Sequence, residues 1–133
     1  MSRENLEIAK RNVEAFNRLD VDGFVECTTP DFEWFPVGAT ALERGSFLGR
    51  EGVEKYFEEL RDAWEEIRLV AQEFRDLGDC TLFLGRLEGR GRASGAPVDS
   101  PFGAVFDFRG SQCSRIRAFP DHDEASRAAS LTE

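Results

Sequence analysis

Trp64-Glu65-Glu66-Ile67-Arg68-Leu69-Val70-Ala71-Gln72 is the stretch that decides the fold. Up to Trp64 the apolar residues recur every three or four positions. Val53, Tyr56, Phe57, Leu60, Ala63 and Trp64 fall on one face of a helix over residues 50–64. Glu51, Glu54, Glu58, Glu59 and Asp62 fall largely on the other, which reads as a solvated acidic face. After Trp64 the period drops to two. Ile67, Leu69 and Ala71 alternate with Arg68, Val70 and Gln72, as in a strand with two distinct faces. That strand ends near Gly78-Asp79.

Downstream the strand pattern continues. Cys80 to Arg92 reads as a second long strand and Ala93 to Pro97 as a turn. Val98 to Arg109 is a third strand, with Phe102, Phe106 and Phe108 on one parity. Gly110-Ser111 turns into a fourth, Cys113 to Phe119, which Pro120 stops. Asp121 then caps a short terminal helix carrying Glu124 and Ala125. Gly85, Gly89 and Gly91 sit inside a strand and fit bends or bulges, not a phosphate loop. Long strands joined by short turns pair antiparallel.

Upstream the period is helical again. Leu6, Ala9, Val13 and Phe16 make one stripe over residues 3–18. Asp20 caps a short second helix with Val21, Phe24 and Val25, and Thr29-Pro30-Asp31 ends it. Phe32 to Phe35 is a short strand closed by Pro36. Residues 37–49 hold three glycines and read as a loop. No repeat or linker divides residues 1–133, so one domain is expected. Helices first and strands after give an α+β class, with three N-terminal helices against one face of a curved, mostly antiparallel sheet.

Composition narrows the function. In 133 residues, 41% are apolar and twelve are Phe, enough for a sizeable core and against disorder. The 26 acidic and 17 basic residues leave a net charge of −9, which argues against nucleic-acid and anionic-membrane partners. The three cysteines, Cys27, Cys80 and Cys113, show no metal or redox spacing and read as reduced thiols in a cytoplasmic protein. One His and three scattered Cys cannot build a closed metal site, so no metal is expected. The polar start of the chain is not a signal peptide, and no apolar run approaches the ~20 residues of a membrane span.

Three segments carry a resemblance: Asn17 to Gly23, Gly49-Arg50-Glu51-Gly52-Val53, and Arg115 to Phe119. In order and spacing they resemble the nuclear transport factor 2-like superfamily and, within it, the SnoaL-like (polyketide cyclase-like) group. The resemblance implies a cystatin-like cone whose curved sheet wraps the helices around an apolar pocket. It also implies a homodimer through the outer sheet face, and no cofactor. An antiparallel sheet with one bare apolar face needs a cover, which a second subunit would supply.

The resemblance brings known chemistries to test. Ketosteroid isomerases of this superfamily carry a basic aspartate before Pro-Val-Gly, where Phe35 stands here. Their tyrosine donor falls at Asn12, and their protonated aspartic acid falls near Gly103 or Ala104. Phenyl and methyl groups cannot move a proton, so that mechanism is rejected. Many SnoaL-like relatives carry histidine after Pro-Phe-Ala/Gly on the third long strand, where this chain, which resembles them there, has Pro101-Phe102-Gly103-Ala104. The one histidine here, His122, reads as an exposed residue at the start of the last helix. The catalytic residues are therefore unknown. Glu33, sharing a strand face with Phe35, and Arg86, sharing one with Glu88, are the weak candidates, against plainer roles as solvated strand residues. Arg115 and Arg117 suit an interface or a surface.

Aromatic residues mark the expected pocket: Phe35, Tyr56, Leu60, Trp64, Phe102 and Phe106 as ligand-binding residues, with Trp34 and Phe57 in the same constellation. The expected function is a small-molecule pocket protein, a cofactor-free isomerase, cyclase or hydrolase acting on a small apolar organic compound. The alternative is a non-catalytic ligand-binding or dimeric interaction module that has lost the acid–base residues. A third outcome is a solid core, with Phe35, Phe102 and Phe106 filling the pocket.

Overall fold

The structure is a computed structural model that describes residues 2–37 and 46–132. Its elements run α1 (Ser2–Arg18), α2 (Val21–Val25), β1 (Thr28–Phe35), β2 (Phe47–Leu48), α3 (Gly49–Ala63), β3 (Trp64–Asp76), β4 (Cys80–Gly91), β5 (Pro97–Arg109), β6 (Gln112–Phe119) and α4 (His122–Thr132). One curved, unclosed sheet has the order β2-β1-β6-β5-β4-β3. The β3-β4-β5-β6 meander is antiparallel, and β1 joins β6 in parallel. The expected α+β class holds.

Alternation divides the sheet into two faces. Phe32, Trp34, Leu69, Phe83, Phe102, Ala104, Phe106 and Ile116 pack inward against α1, α2 and α3 in the main core. Leu82, Leu84 and Val105 point to the opposite face, where Ala125 and Ala129 of α4 cover them in a second, smaller core. The apolar patch expected to need a partner subunit is therefore covered by the chain's own last helix. Gly103 makes this fit possible, since a Cβ there would lie 2.5 Å from the Ala125 Cβ.

Local chemistry sets the joints. Asp20 caps α2 by accepting the Gly23 N–H at 3.2 Å, and Asp121 caps α4 by accepting that of Glu124 at 2.8 Å. Asn12 donates to the Phe24 carbonyl at 3.0 Å and ties α1 to α2. Asn17 clasps the open edge of β3: its carboxamide donates to the Leu69 carbonyl at 3.0 Å and accepts the Leu69 N–H at 2.7 Å.

Beyond shifts of a residue or two at strand ends, three features differ from the sequence reading. β1 starts at Thr28, running through Pro30, because β2 pairs only with Glu33 and Trp34 and asks nothing of residue 30. Within the expected 37–49 loop, Phe47–Leu48 is a short strand, while residues 38–45 lie outside the described residues. Trp64 is not on the helix: it caps α3 through an N–H to the Leu60 carbonyl and is also the first residue of β3. The ladder between β3 and β4 shifts register at Trp64/Glu66 and Ala71/Glu73, beside Gly91 and Gly85.

Candidate functional site

The cavity lies between α3 and the inner sheet face, with a volume of about 260 Å³. That exceeds the ~150 Å³ of an apolar cavity that takes up benzene. Tyr56, Glu59, Leu60 and Ala63 of α3 form one wall; Trp64, Ile67, Leu87 and Phe102 of the sheet form the other. Phe16 of α1 and Trp34, Pro36 and Val37 at the end of β1 complete it.

Each wall follows from a local rule. Tyr56, Glu59, Leu60 and Ala63 are three or four apart on α3 and so share a face. Trp34 stacks edge-on to Tyr56, ring centroids 5.4 Å apart, and Tyr56 leans on Phe47 at 5.2 Å. Trp64 reaches the cavity because residue 89 is glycine; a Cβ there would stand 2.9 Å from the indole ring.

The expected pocket residues divide. Tyr56, Leu60, Trp64 and Phe102 line the cavity. Phe106 lies deeper in the core, beside voids of about 10 Å³, too small for an organic ligand. Phe35 does not reach the cavity: Phe32 and Trp34 point inward, so Phe35 alternates to the outer face. It cannot fill the pocket, and Trp34 takes the place assigned to it.

The weak catalytic candidates fall elsewhere. Glu33 shares the outer face with Phe35 and accepts from the Ser46 hydroxyl at 3.0 Å. Arg86 and Glu88 flank the inward-facing Leu87 and do not pair with each other. Arg86 donates to Asp99 at 2.7 Å and Glu88 accepts from Arg68 at 2.8 Å, because cross-strand neighbours meet before same-strand ones do. A wider, open concavity of about 730 Å³ touches Glu66, Arg68, Glu88, Arg90 and Asp99, but each of these charges already has a partner: Arg68 pairs with Glu88, Arg90 with Glu66 and Asp99 with Arg86. On the outer face Arg115 and Arg117 both converge on buried Asp107, at 2.7 and 3.3 Å. His122 is half-buried instead of exposed: its ring Nε2 lies 2.9 Å from the Gly85 carbonyl and pins α4 to β4.

Glu59 is the carboxylate that sequence reasoning placed on the solvated face. It is half-buried, and among the described lining residues it alone carries a charge. Its signal was its position three residues after Tyr56, at the margin of the apolar stripe. Among the described residues, no group of three or more His, Cys, Asp or Glu could hold a metal ion, and no helix is long and apolar enough to cross a membrane.

Solved structures share this architecture. A nuclear transport factor 2-like protein of unknown function from Burkholderia pseudomallei is 23% identical, with 93% of this chain and 95% of that one covered and a TM-score of 0.78. A cystatin-fold protein from Novosphingobium aromaticivorans is 25% identical over 86% and 96%, with a TM-score of 0.71. A protein provisionally named a SnoaL-like polyketide cyclase, from Jannaschia sp. CCS1, is 21% identical over 96% and 91%, with a TM-score of 0.76. No curated protein matches the chain. The SnoaL-like domain family model matches residues 9–116, which takes in α1 from Ala9, α2, α3, the cavity and the sheet through Ile116; the chain belongs to the SnoaL-like domain family.

Proposed function

We propose that the chain binds a small apolar organic compound of one or two rings in the aromatic cavity. The observation that carries this reading is a space of about 260 Å³ walled by Tyr56, Leu60, Trp64 and Phe102, with Glu59 the one carboxylate among its described lining residues. Apolar walls with few polar groups are what such ligands need. If the protein turns its ligand over as an isomerase, cyclase or hydrolase, the proton work falls to Glu59, since Glu33 and Arg86 lie on the other face. The non-catalytic alternative draws support from Asn12, Phe35 and the Gly103-Ala104 pair, which stand where ketosteroid isomerases carry their acid–base groups.

The cavity supplies its own reporter. The chain has two tryptophans, and both Trp34 and Trp64 line the space. Titration with a two-ring aromatic such as 2-naphthol is expected to change their emission saturably, and Leu60→Trp, which fills the cavity, is expected to abolish the change. An unsaturable or absent response in the folded wild type rejects the reading. Glu59→Gln then separates the alternatives: retained binding with lost turnover marks an enzyme, and an absence of turnover in both proteins across ring ketones, enols and epoxides favours the binding module.

Two further expectations belong to this proposal. The three cysteines are free, which suits the cytoplasm. A homodimer would use the part of the outer face that α4 leaves open, around Phe35, Arg115 and Arg117. Sedimentation of the wild type against Phe35→Glu tests it, with a monomer in both cases rejecting the dimer.

A further inference from the structure

Cys27 and Cys113 meet where the chain leaves α2 and enters β1. The Cys27 carbonyl accepts the Cys113 N–H at 2.8 Å, and Thr28 pairs with Cys113 in the parallel ladder. Cys27 therefore sits one residue before the Cα partner of Cys113; a strand spacing of ~5 Å with a one-residue offset of ~3.3 Å puts the two Cα atoms about 6 Å apart, inside the ~4.4–6.8 Å that a disulfide spans. Both side chains border one small void between α1 and the sheet, together with Arg11 and Asn12.

The two thiols are unlike. Cys27 is half-buried, and an Arg11 guanidinium nitrogen lies 4.0 Å from its sulfur. Cys113 is 2% exposed and its thiol donates to the Arg115 carbonyl at 3.6 Å. Burial pushes the Cys113 thiol far above its ordinary value, so it cannot be the first to react. The remaining thiol, Cys80, lies across the sheet under α4.

A partly exposed sulfur beside a cation, with a second sulfur on the adjacent backbone, is the arrangement of an attacking and a resolving cysteine. We infer that Cys27 and Cys113 form a peroxide-responsive thiol pair that closes an intrachain disulfide between the α2–β1 connection and β6. In the first step the Cys27 thiolate attacks one peroxide oxygen. The O–O bond breaks, the departing hydroxide takes up the proton that Cys27 gave away, and Cys27 becomes a sulfenic acid. In the second, the Cys113 sulfur attacks the Cys27 sulfur and its proton passes to the sulfenic hydroxyl. The S–S bond forms, the S–O bond breaks and water leaves. Two thiols and one hydrogen peroxide thus give one disulfide and two waters.

The test is peptide mass mapping of the full, reduced chain after mild hydrogen peroxide. The expected product joins the Cys27 and Cys113 peptides, lacks two hydrogens, reverses with dithiothreitol and leaves Cys80 free. In Cys113→Ser, dimedone is expected to label Cys27. Arg11→Gln is expected to slow disulfide formation several-fold, with an unchanged circular dichroism spectrum. A disulfide that contains Cys80, a mainly intermolecular product, or Cys27 sulfinic acid without the joined peptide overturns the inference. Should the serine variant fail to fold, the wild-type map alone decides, and absence of the joined peptide rejects the pair.

Discussion

Asn17 holds an edge strand with one side chain. It satisfies both the N–H and the carbonyl of Leu69, groups that β4 does not reach. Asn17→Ala leaves both to solvent and is expected to cost about 1–2 kcal/mol in urea unfolding, with Asn17→Asp costing less because the acceptor survives. Other residues show how far single positions were legible. Phe35 was assigned to the pocket by resemblance, although strand alternation groups it with Glu33, a charged neighbour that marks the outer face. Trp34, one position earlier, has the inward parity and lines the cavity. Glu59 was hidden because a helical period assigns faces in sectors of about 100°, and a residue at a sector margin reads as solvated until its neighbour across the groove is known.

At the scale of elements, the joint between α4 and the sheet is the most sensitive. Gly103→Val places a side chain where the Ala125 methyl sits and is expected to destabilise the chain by about 1–3 kcal/mol. Ala125→Gly in the same chain is expected to restore part of that loss, and a thermal double-mutant cycle measures the coupling. The amphipathic helices and the meander were readable, since the change of period at Trp64 and the turns at Gly78, Gly95 and Gly110 are local signals. The path of α4 was not. A short helix rich in alanine shows which of its faces is apolar but not which side of a sheet will receive it. The early start of β1 was hidden for a different reason: Pro30 reads as a breaker unless the missing partner on the β2 side is known.

For the whole molecule, acidity tests both the caps and the charge. The backbone N–H of Gly23 holds the Asp20 carboxyl below its ordinary value, and Arg18 adds to this; the Glu124 N–H does the same for Asp121. A carboxyl lowered on folding lends stability that is present above its unfolded value, near 4, and is lost as pH falls through the native value. Stability is therefore expected to drop below about pH 4, and the drop is expected to be shallower in Asp20→Asn and Asp121→Asn, which cap without titrating. Melting temperature against pH checks this. Solubility is expected to be least near the isoelectric point of about 4.7, where the charge of −9 has been neutralised. Finally, α3 hands its last hydrogen bond to Trp64 with no residue to spare before β3 begins. One residue inserted between Ala63 and Trp64 would turn Ile67 and Leu69 outward and their polar neighbours inward. Length changes that the hairpin tip at Ala93–Ala96 absorbs without harm would be ruinous here, so evolution can lengthen this protein at its tips but not at that seam.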